Sequence, residues 1–400
     1  MTNTLLPVQG YIASGFERVA EVYAELFEKY GEQGSGLAVY RHGECLLDIY
    51  CGYQDRDGLQ PWQTETRANG FSISKGLVAL CVVQLLERGW LNLDTPVADY
   101  WPEFGEGADG IKADITVAQL LSHRSGLSAF HERVGDREIY SWAAIVARLE
   151  NETPWWTPGE AQGYSPFLYG WLLGELICRV TGADTFNDYF QQYVAQPLGA
   201  NCQFGIAADE QQNIADMAPL KVAKGTEHQG RGSSIGDMMK ADPKGVVNKA
   251  FSNPMSLMLG TNSVEWRAAQ VPAANAHCSA TGLARIYAAL ANAGSLDSVQ
   301  ILQKNSIEDY CRTELSRGDD KVLGAHLHFS CGFMLTQLDK EDCCFGRGKK
   351  GFGHPGAGGS LGFSDPDYGI GFAYITNRMG QGLLVDPRAK KLIDALYLCL

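Results

Sequence analysis

The sequence has little positive charge with which to meet polyanions. Thirty-three Lys and Arg stand against 46 Asp and Glu, a formal net charge of −13. Phosphate backbones and anionic headgroups are therefore repelled overall, and nucleic acid is excluded as a partner. Long apolar runs are also missing. The longest, GLVALCVVQLL from Gly76, is well short of the roughly 20 residues that span a bilayer, so no membrane partner is expected. The first residues, MTNTLLPVQGYIASGFERVAEVYAELFEKYGE, lack the basic stretch, apolar core and small-residue cleavage site of a signal peptide. A cytoplasmic location is the expectation. Eleven cysteines, an odd number without a CxxC pair, fit reduced thiols better than a disulfide framework. No internal repeat and no long linker interrupts the chain.

What is present describes a globular protein. Of 400 residues, 45% are hydrophobic and 20% charged, enough for one large domain or two ordinary ones. Phe16, Val19, Tyr23, Leu26, Phe27 and Tyr30 repeat at helical spacing. Residues 35–40 and 44–52 read as strands joined through Arg41-His42-Gly43. Further strands are predicted at 330–338, 360–365 and 369–377, and a last helix at 386–400. The two ends of the chain thus predict one antiparallel sheet with terminal helices packed on it. Between them the reading is mostly helical: 72–88 ending at Gly89, 117–122 capped by Thr116, and 280–292 ending at Gly294. The interval 221–254, rich in Gly, Ser and Lys, reads as a long loop, either a lid or a surface excursion.

Within GFSISKGL, Ser72 and Lys75 are one helical turn apart and share a face. A helix opening at Ser72 offers unpaired N–H groups and partial positive charge, which suit an oxyanion beside the serine. A lysine held there against apolar surroundings loses proton affinity, and a neutral amine can act as a base. S-x-x-K alone is too short to be specific, since a capping serine before a surface lysine also fits.

Further motifs supply the specificity. Gln119-Leu120-Leu121-Ser122-His123-Arg124-Ser125-Gly126-Leu127, Trp156-Thr157-Pro158-Gly159 followed by Tyr164-Ser165, Gln196-Pro197-Leu198-Gly199, and Gly353-His354-Pro355-Gly356-Ala357-Gly358-Gly359 occur in that order after the S-x-x-K. From about residue 34 to 379 the chain resembles the serine β-lactamase and penicillin-binding superfamily, class C members and family VIII carboxylesterases in particular. The resemblance implies an α/β (α+β) class C β-lactamase-like fold: an antiparallel sheet flanked by helices, built from 1–75 and 265–400, with a mostly helical domain at 76–264. It implies Ser72 as nucleophile, Lys75 as its partner and Tyr164 as second base. It further implies an oxyanion hole from the N–H groups of Ser72 and Ala357, with Gly356 close to the substrate and His354 where the lactamases have lysine. Ser165 and Pro166 suit the cap and first turn of a following helix, whose N-terminus would ease formation of the Tyr164 phenolate.

Two departures bear on the substrate. Pro166 replaces the asparagine of Y-x-N, and His354 replaces a lysine, so the side-chain amide and fixed charge that recognise β-lactams are gone. The family VIII esterases are the nearer resemblance, and Phe71, Trp155, Trp156, Tyr169 and Phe352 are candidates for an apolar acyl pocket. Other motifs are decoys. Ser234 and Ser360 each sit in a G-x-S-x-G without the strand and helix that a nucleophile elbow needs. Gly346 to Gly351 spell GxGxxG with neither strand before nor helix after. His326 and His328 lack the aspartate and second cluster of a metallo-lactamase. The expectation is a cofactor-free serine hydrolase cleaving small-molecule esters. β-Lactamase, D-amino peptidase and acyltransferase activities are the alternatives, with a non-enzymatic binding protein last; the oligomeric state is open.

Overall fold

The computed structural model describes residues 7–219 and 235–400. A nine-stranded, wholly antiparallel sheet forms its centre. Strand β1 (Gln9–Ile12), helix α1 (Glu17–Lys29) and strands β2 (Gly34–Arg41) and β3 (Glu44–Gly52) come from the start of the chain. Helices α2 (Ile73–Glu87), α3 (Val117–Leu121), α4 (Leu168–Thr181) and α5 (Ala280–Ala291) follow. The end of the chain supplies β4 (Ser316–Asp319), β5 (His326–Phe329), β6 (Met334–Leu335), β7 (Phe352–Pro355), β8 (Leu361–Asp365), β9 (Ile370–Thr376) and α6 (Pro387–Cys399). Sheet order is β1-β3-β2-β9-β8-β7-β6-β5-β4, so β9 pairs with β2 and joins the two ends of the chain.

The alternation of each strand sends side chains to two cores. Leu37 and Val39 of β2, with Phe372 and Tyr374 of β9, pack with α1 and α6. Ala38 and Tyr40, with Ala373 and Ile375, face α5 and the helical region. Helix α5 lies very close to the sheet because Gly371 has no side chain: a Cβ there would stand 2.3 Å from the Ala288 nitrogen. Helix α2 is buried on every side, so it reads as a central helix rather than an amphipathic one.

Several local expectations need correction. Strand β6 covers only Met334–Leu335, because the Ser330 N–H bonds the Phe333 carbonyl and closes a turn at Gly332. The strand before that turn, β5, carries the alternating His326 and His328. Residues 235–254 are not loop but hold two short helices, Ile235–Ala241 and Val246–Ser252, with Ala250 and Phe251 buried. The rest of the suspected lid, with Ser234, lies outside the described residues. Helix α4 begins at Leu168, later than Ser165 and Pro166 suggested. Strand β1, exposed along its length, gave no apolar alternation to read. No helix among the described residues is long and apolar enough to cross a membrane.

Candidate active site

Ser72 occupies the N-cap of α2 and is partly exposed. The preceding Phe71 has φ +48°, a left-handed conformation that bulky residues adopt only under constraint. That constraint is visible: Asn69 Oδ1 accepts from the Phe71 N–H at 3.1 Å, and Ser74 Oγ both donates to the Phe71 carbonyl and accepts from the Ala276 N–H. The bend lifts Ser72 out of the core at the head of a wholly buried helix.

One turn on, Lys75 is fully buried. Its Nζ lies 2.7 Å from the Pro166 carbonyl, 2.9 Å from the Ala273 carbonyl and 3.2 Å from Ser72 Oγ. A neutral amine has two hydrogens and one lone pair. The two carbonyls take the hydrogens, which leaves the lone pair for the serine hydroxyl. Burial pushes the Lys75 amine well below its ordinary range, because a charge far from water and without a carboxylate partner is costly.

Tyr164 arrives from a segment remote in sequence. Its ring lies under Lys75 Nζ, 4.7 Å from nitrogen to centroid, and the Ser72 side chain acts on its hydroxyl, lowering the phenol's proton affinity. Burial raises that affinity well above the usual range, an effect Ser72 only partly offsets. The resting phenol is therefore protonated, and the easing of the phenolate expected from a helix N-terminus is outweighed by desolvation. The irregular residues 165–167 separate Tyr164 from α4.

Strand β7 carries His354, whose ring lies 6.0 Å from that of Tyr164. It is buried, its Nδ1 is 2.8 Å from the Pro355 carbonyl, and its Nε2 has no partner. Nδ1 donates, so Nε2 is a bare acceptor. Burial, reinforced by the Lys75 charge, pushes the imidazole down to about 3. After β7 the chain turns through Gly356 and Ala357. A Cβ on Gly356 would stand 2.1 Å from the Gly70 carbonyl, so glycine is what lets this turn lie against the segment leading to Ser72. Among the described residues neither the Ser72 nor the Ala357 N–H has an acceptor.

The candidate pocket aromatics divide. Phe352 is fully buried and packs edge-on against Phe333 at 5.1 Å; it belongs to the core and lines no cleft. Phe71 and Tyr169 are also buried. Trp155 and Trp156 are half-exposed. The Trp155 ring stacks on His131 at 3.9 Å, and Trp156 covers Gly163, next to Tyr164. Of the decoys, Ser360 is buried and bonded to Thr376. Among the described residues no group of three or more His, Cys, Asp or Glu could hold a metal ion.

Two neighbours of Tyr164 escaped the reading by motif. His123 lay inside a motif without evident chemistry, and Asp320 carried no local signal at all. Both bond the backbone around Tyr164.

This fold, with a serine, an amine and a phenol converging on one another, defines a serine hydrolase. The chain belongs to the Beta-lactamase family, whose model matches residues 19–395. It is 29% identical over 94% of its length, and 84% of the relative's, to the esterase/beta-lactamase LipL of Mycobacterium tuberculosis. Among solved structures, a family VIII carboxylesterase superposes with a TM-score of 0.88 at 33% identity, covering 99% of this chain and 100% of the other. A penicillin-binding protein homologue from Caulobacter crescentus superposes at 0.86, also at 33% identity and with the same coverage.

Proposed function

We propose that this hydrolase cleaves carboxylic esters through an acyl-enzyme on Ser72, with Lys75 as the base and Tyr164 as the proton relay. The Ser72 hydroxyl gives its proton to the Lys75 lone pair as Oγ bonds to the ester carbonyl carbon. The resulting oxyanion is held by the N–H groups of Ser72 and Ala357. Its collapse breaks the bond to the alkoxide, which takes a proton from Tyr164, and the ammonium of Lys75 restores the phenol. Water then attacks the acyl-enzyme with the same pair moving its protons, releasing the acid and Ser72.

One observation supports the assignment of the base above all: a buried amine within hydrogen-bond distance of two carbonyls and the Ser72 hydroxyl, with burial favouring its neutral form. Ester rather than β-lactam turnover is favoured by the neutral His354 and by Pro166, which together offer a substrate carboxylate and acylamino group neither fixed charge nor side-chain amide. The similar proteins include an esterase/beta-lactamase and a family VIII carboxylesterase. We place the substrate between a sheet domain of 1–75 and 265–400 and a helical domain of 76–264, since the reacting groups come from both. Trp155 and Trp156 remain as walls for the acyl group.

Ser72→Ala should abolish hydrolysis of p-nitrophenyl butyrate while leaving the melting transition in place, and intact mass should show a single acyl adduct on the wild-type chain. Turnover retained by Ser72→Ala removes the scheme. Nitrocefin cleavage faster than ester cleavage would replace the substrate class and keep the residues.

A further inference from the structure

The segment carrying Tyr164 is irregular, yet the N–H groups of Gly163, Tyr164 and Ser165 are each engaged. The Gly163 N–H donates to the His123 carbonyl at 2.9 Å. The Tyr164 N–H donates to both carboxylate oxygens of Asp320, at 3.0 and 2.8 Å. The Ser165 N–H donates to His123 Nδ1 at 3.2 Å. Pro166 has no N–H, and its carbonyl accepts from Lys75. Asp320 is itself fixed at the end of β4, where Oδ1 also accepts from the N–H groups of Val322 and Leu323 at 2.9 Å.

His123 is shaped for this contact. It is 2% exposed and has φ +57°, in the left-handed region where Asn, Asp and His are the tolerated side-chain residues. Its ring lies 4.8 Å from that of Tyr164, 4.7 Å from Tyr169 and 4.8 Å from Phe329. Because Nδ1 accepts from a peptide N–H, the single ring proton is on Nε2. An imidazolium would turn two donors against each other. Burial and the nearby Lys75 and His354 hold the ring neutral.

We propose that His123 is a positioning residue: its carbonyl and Nδ1 hold the peptides on either side of Tyr164, and the Asp320 carboxylate holds the peptide between them. The phenol is thereby fixed against Ser72, and the Pro166 carbonyl against Lys75. This rests on the reading of Tyr164 as the proton relay. Gly163 to Ser165 are thus held by side chains and a carbonyl from outside the segment, without a helix.

The test is steady-state hydrolysis of p-nitrophenyl butyrate by His123→Leu and His123→Asn, each alone and combined with Tyr164→Phe. His123→Leu keeps the bulk and loses the acceptor, so kcat should fall about 100-fold with KM changed less than about threefold. His123→Asn keeps the left-handed backbone and puts Oδ1 near the place of Nδ1, so it should recover to within about tenfold of wild type. In the Tyr164→Phe background, His123→Leu should add less than about threefold. A folded His123→Leu with wild-type kcat overturns the proposal. So does an equal loss in the Leu and Asn variants, or a His123→Leu effect undiminished without the phenol. If His123→Leu fails to fold, Asp320→Asn carries the same expectations, because it replaces one accepting oxygen by a donor. The two readings fail differently. Unimpaired Tyr164→Phe sinks the relay and this proposal together; impaired Tyr164→Phe with an unimpaired His123→Leu sinks the positioning role alone.

Discussion

Lys75 and Lys112 are both fully buried, and their first neighbours nearly match. Lys112 Nζ donates to the carbonyls of Leu149 and Glu150 at 2.6 and 2.7 Å and lies 4.5 Å from the centroid of the Phe104 ring. Lys75 likewise has two carbonyls and a ring, that of Tyr164 at 4.7 Å. The surroundings differ. Leu149 and Glu150 are in the last turn of the helix Trp142–Asn151, the negative end of its dipole, and the Glu150 and Glu152 carboxylates add attraction. Burial lowers Lys112 only to about 8. Lys75 sits in the first turn of α2, the positive end, with no carboxylate to offset burial. Its third neighbour is a serine hydroxyl. Burying an amine is therefore not what marks the reacting centre. What marks it is burial at the wrong end of a helix, without a counter-charge, beside the hydroxyl of the proposed nucleophile. Arg388 is the opposite extreme: it is buried with Glu32 at 2.8 Å and Asp386 at 2.9 Å, and those carboxylates push its proton affinity up.

Exchanging each lysine for methionine separates the two roles most strongly. Lys75→Met should lower kcat for p-nitrophenyl butyrate by about 10³-fold or more, whereas Lys112→Met should leave it within about twofold of wild type. Stability should answer for Lys112, since the loss of its amine strands two carbonyls at a helix end at a cost of about 1–3 kcal/mol, read from urea melts. Equal loss of activity in both variants would make burial itself, and not placement, the operative feature. Tyr164→Phe is expected to follow at about 10²-fold. In the proposed scheme that phenol, protonated at rest, serves transfer to the leaving group rather than the first deprotonation.

How far the sequence reveals this contrast depends on the distance along the chain. Ser72 and Lys75 are three residues apart and read directly from helical spacing. Tyr164 and Ala357 were accessible through motif order, because the resemblance carries long-range information that spacing does not. His123 and Asp320 meet Tyr164 only in three dimensions, 156 residues apart in the case of Asp320, and a turn aspartate has no pattern to distinguish it. The Glu32–Arg388 pair, 356 residues apart, is hidden for the same reason. Of the sheet, β2, β3, β8 and β9 were legible from strand patterning at both ends, whereas β1, β4 and β7 were not. The helices at 235–252 were masked by glycine and lysine content, although Val246, Val247, Ala250 and Phe251 hold a helical period.

A carboxylate placed near Lys75 would give it part of what Lys112 has. His354→Asp removes a neutral imidazole whose proton affinity responds to Lys75, and an aspartate there favours the ammonium. In the proposed scheme the amine must be neutral to accept the Ser72 proton, so activity should rise with pH as Lys75 loses its proton. The acid limb of kcat/KM should move up by about one pH unit in His354→Asp. An unmoved limb would mean that Lys75 is not the group being titrated.

The smallest effect expected is on stability against pH. The folded-state value of Lys112 is about 8 against an ordinary 10.5. Between those values the unfolded chain binds the proton more readily than the folded one, and stability must rise with pH wherever that is so. The penalty for burying Lys112 is complete below about 8 and gone above 10.5. Wild type should therefore gain on Lys112→Met in urea melts as pH is raised through this window, and the subtraction cancels the tyrosines and cysteines that titrate alongside. Lys75 is lowered by burial with no carboxylate to offset it, so its difference against Lys75→Met should already be changing at a lower pH than that of Lys112. Coincident windows would mean that the two amines feel the same surroundings, and the helix ends and carboxylates that distinguish them would then do nothing to their protons.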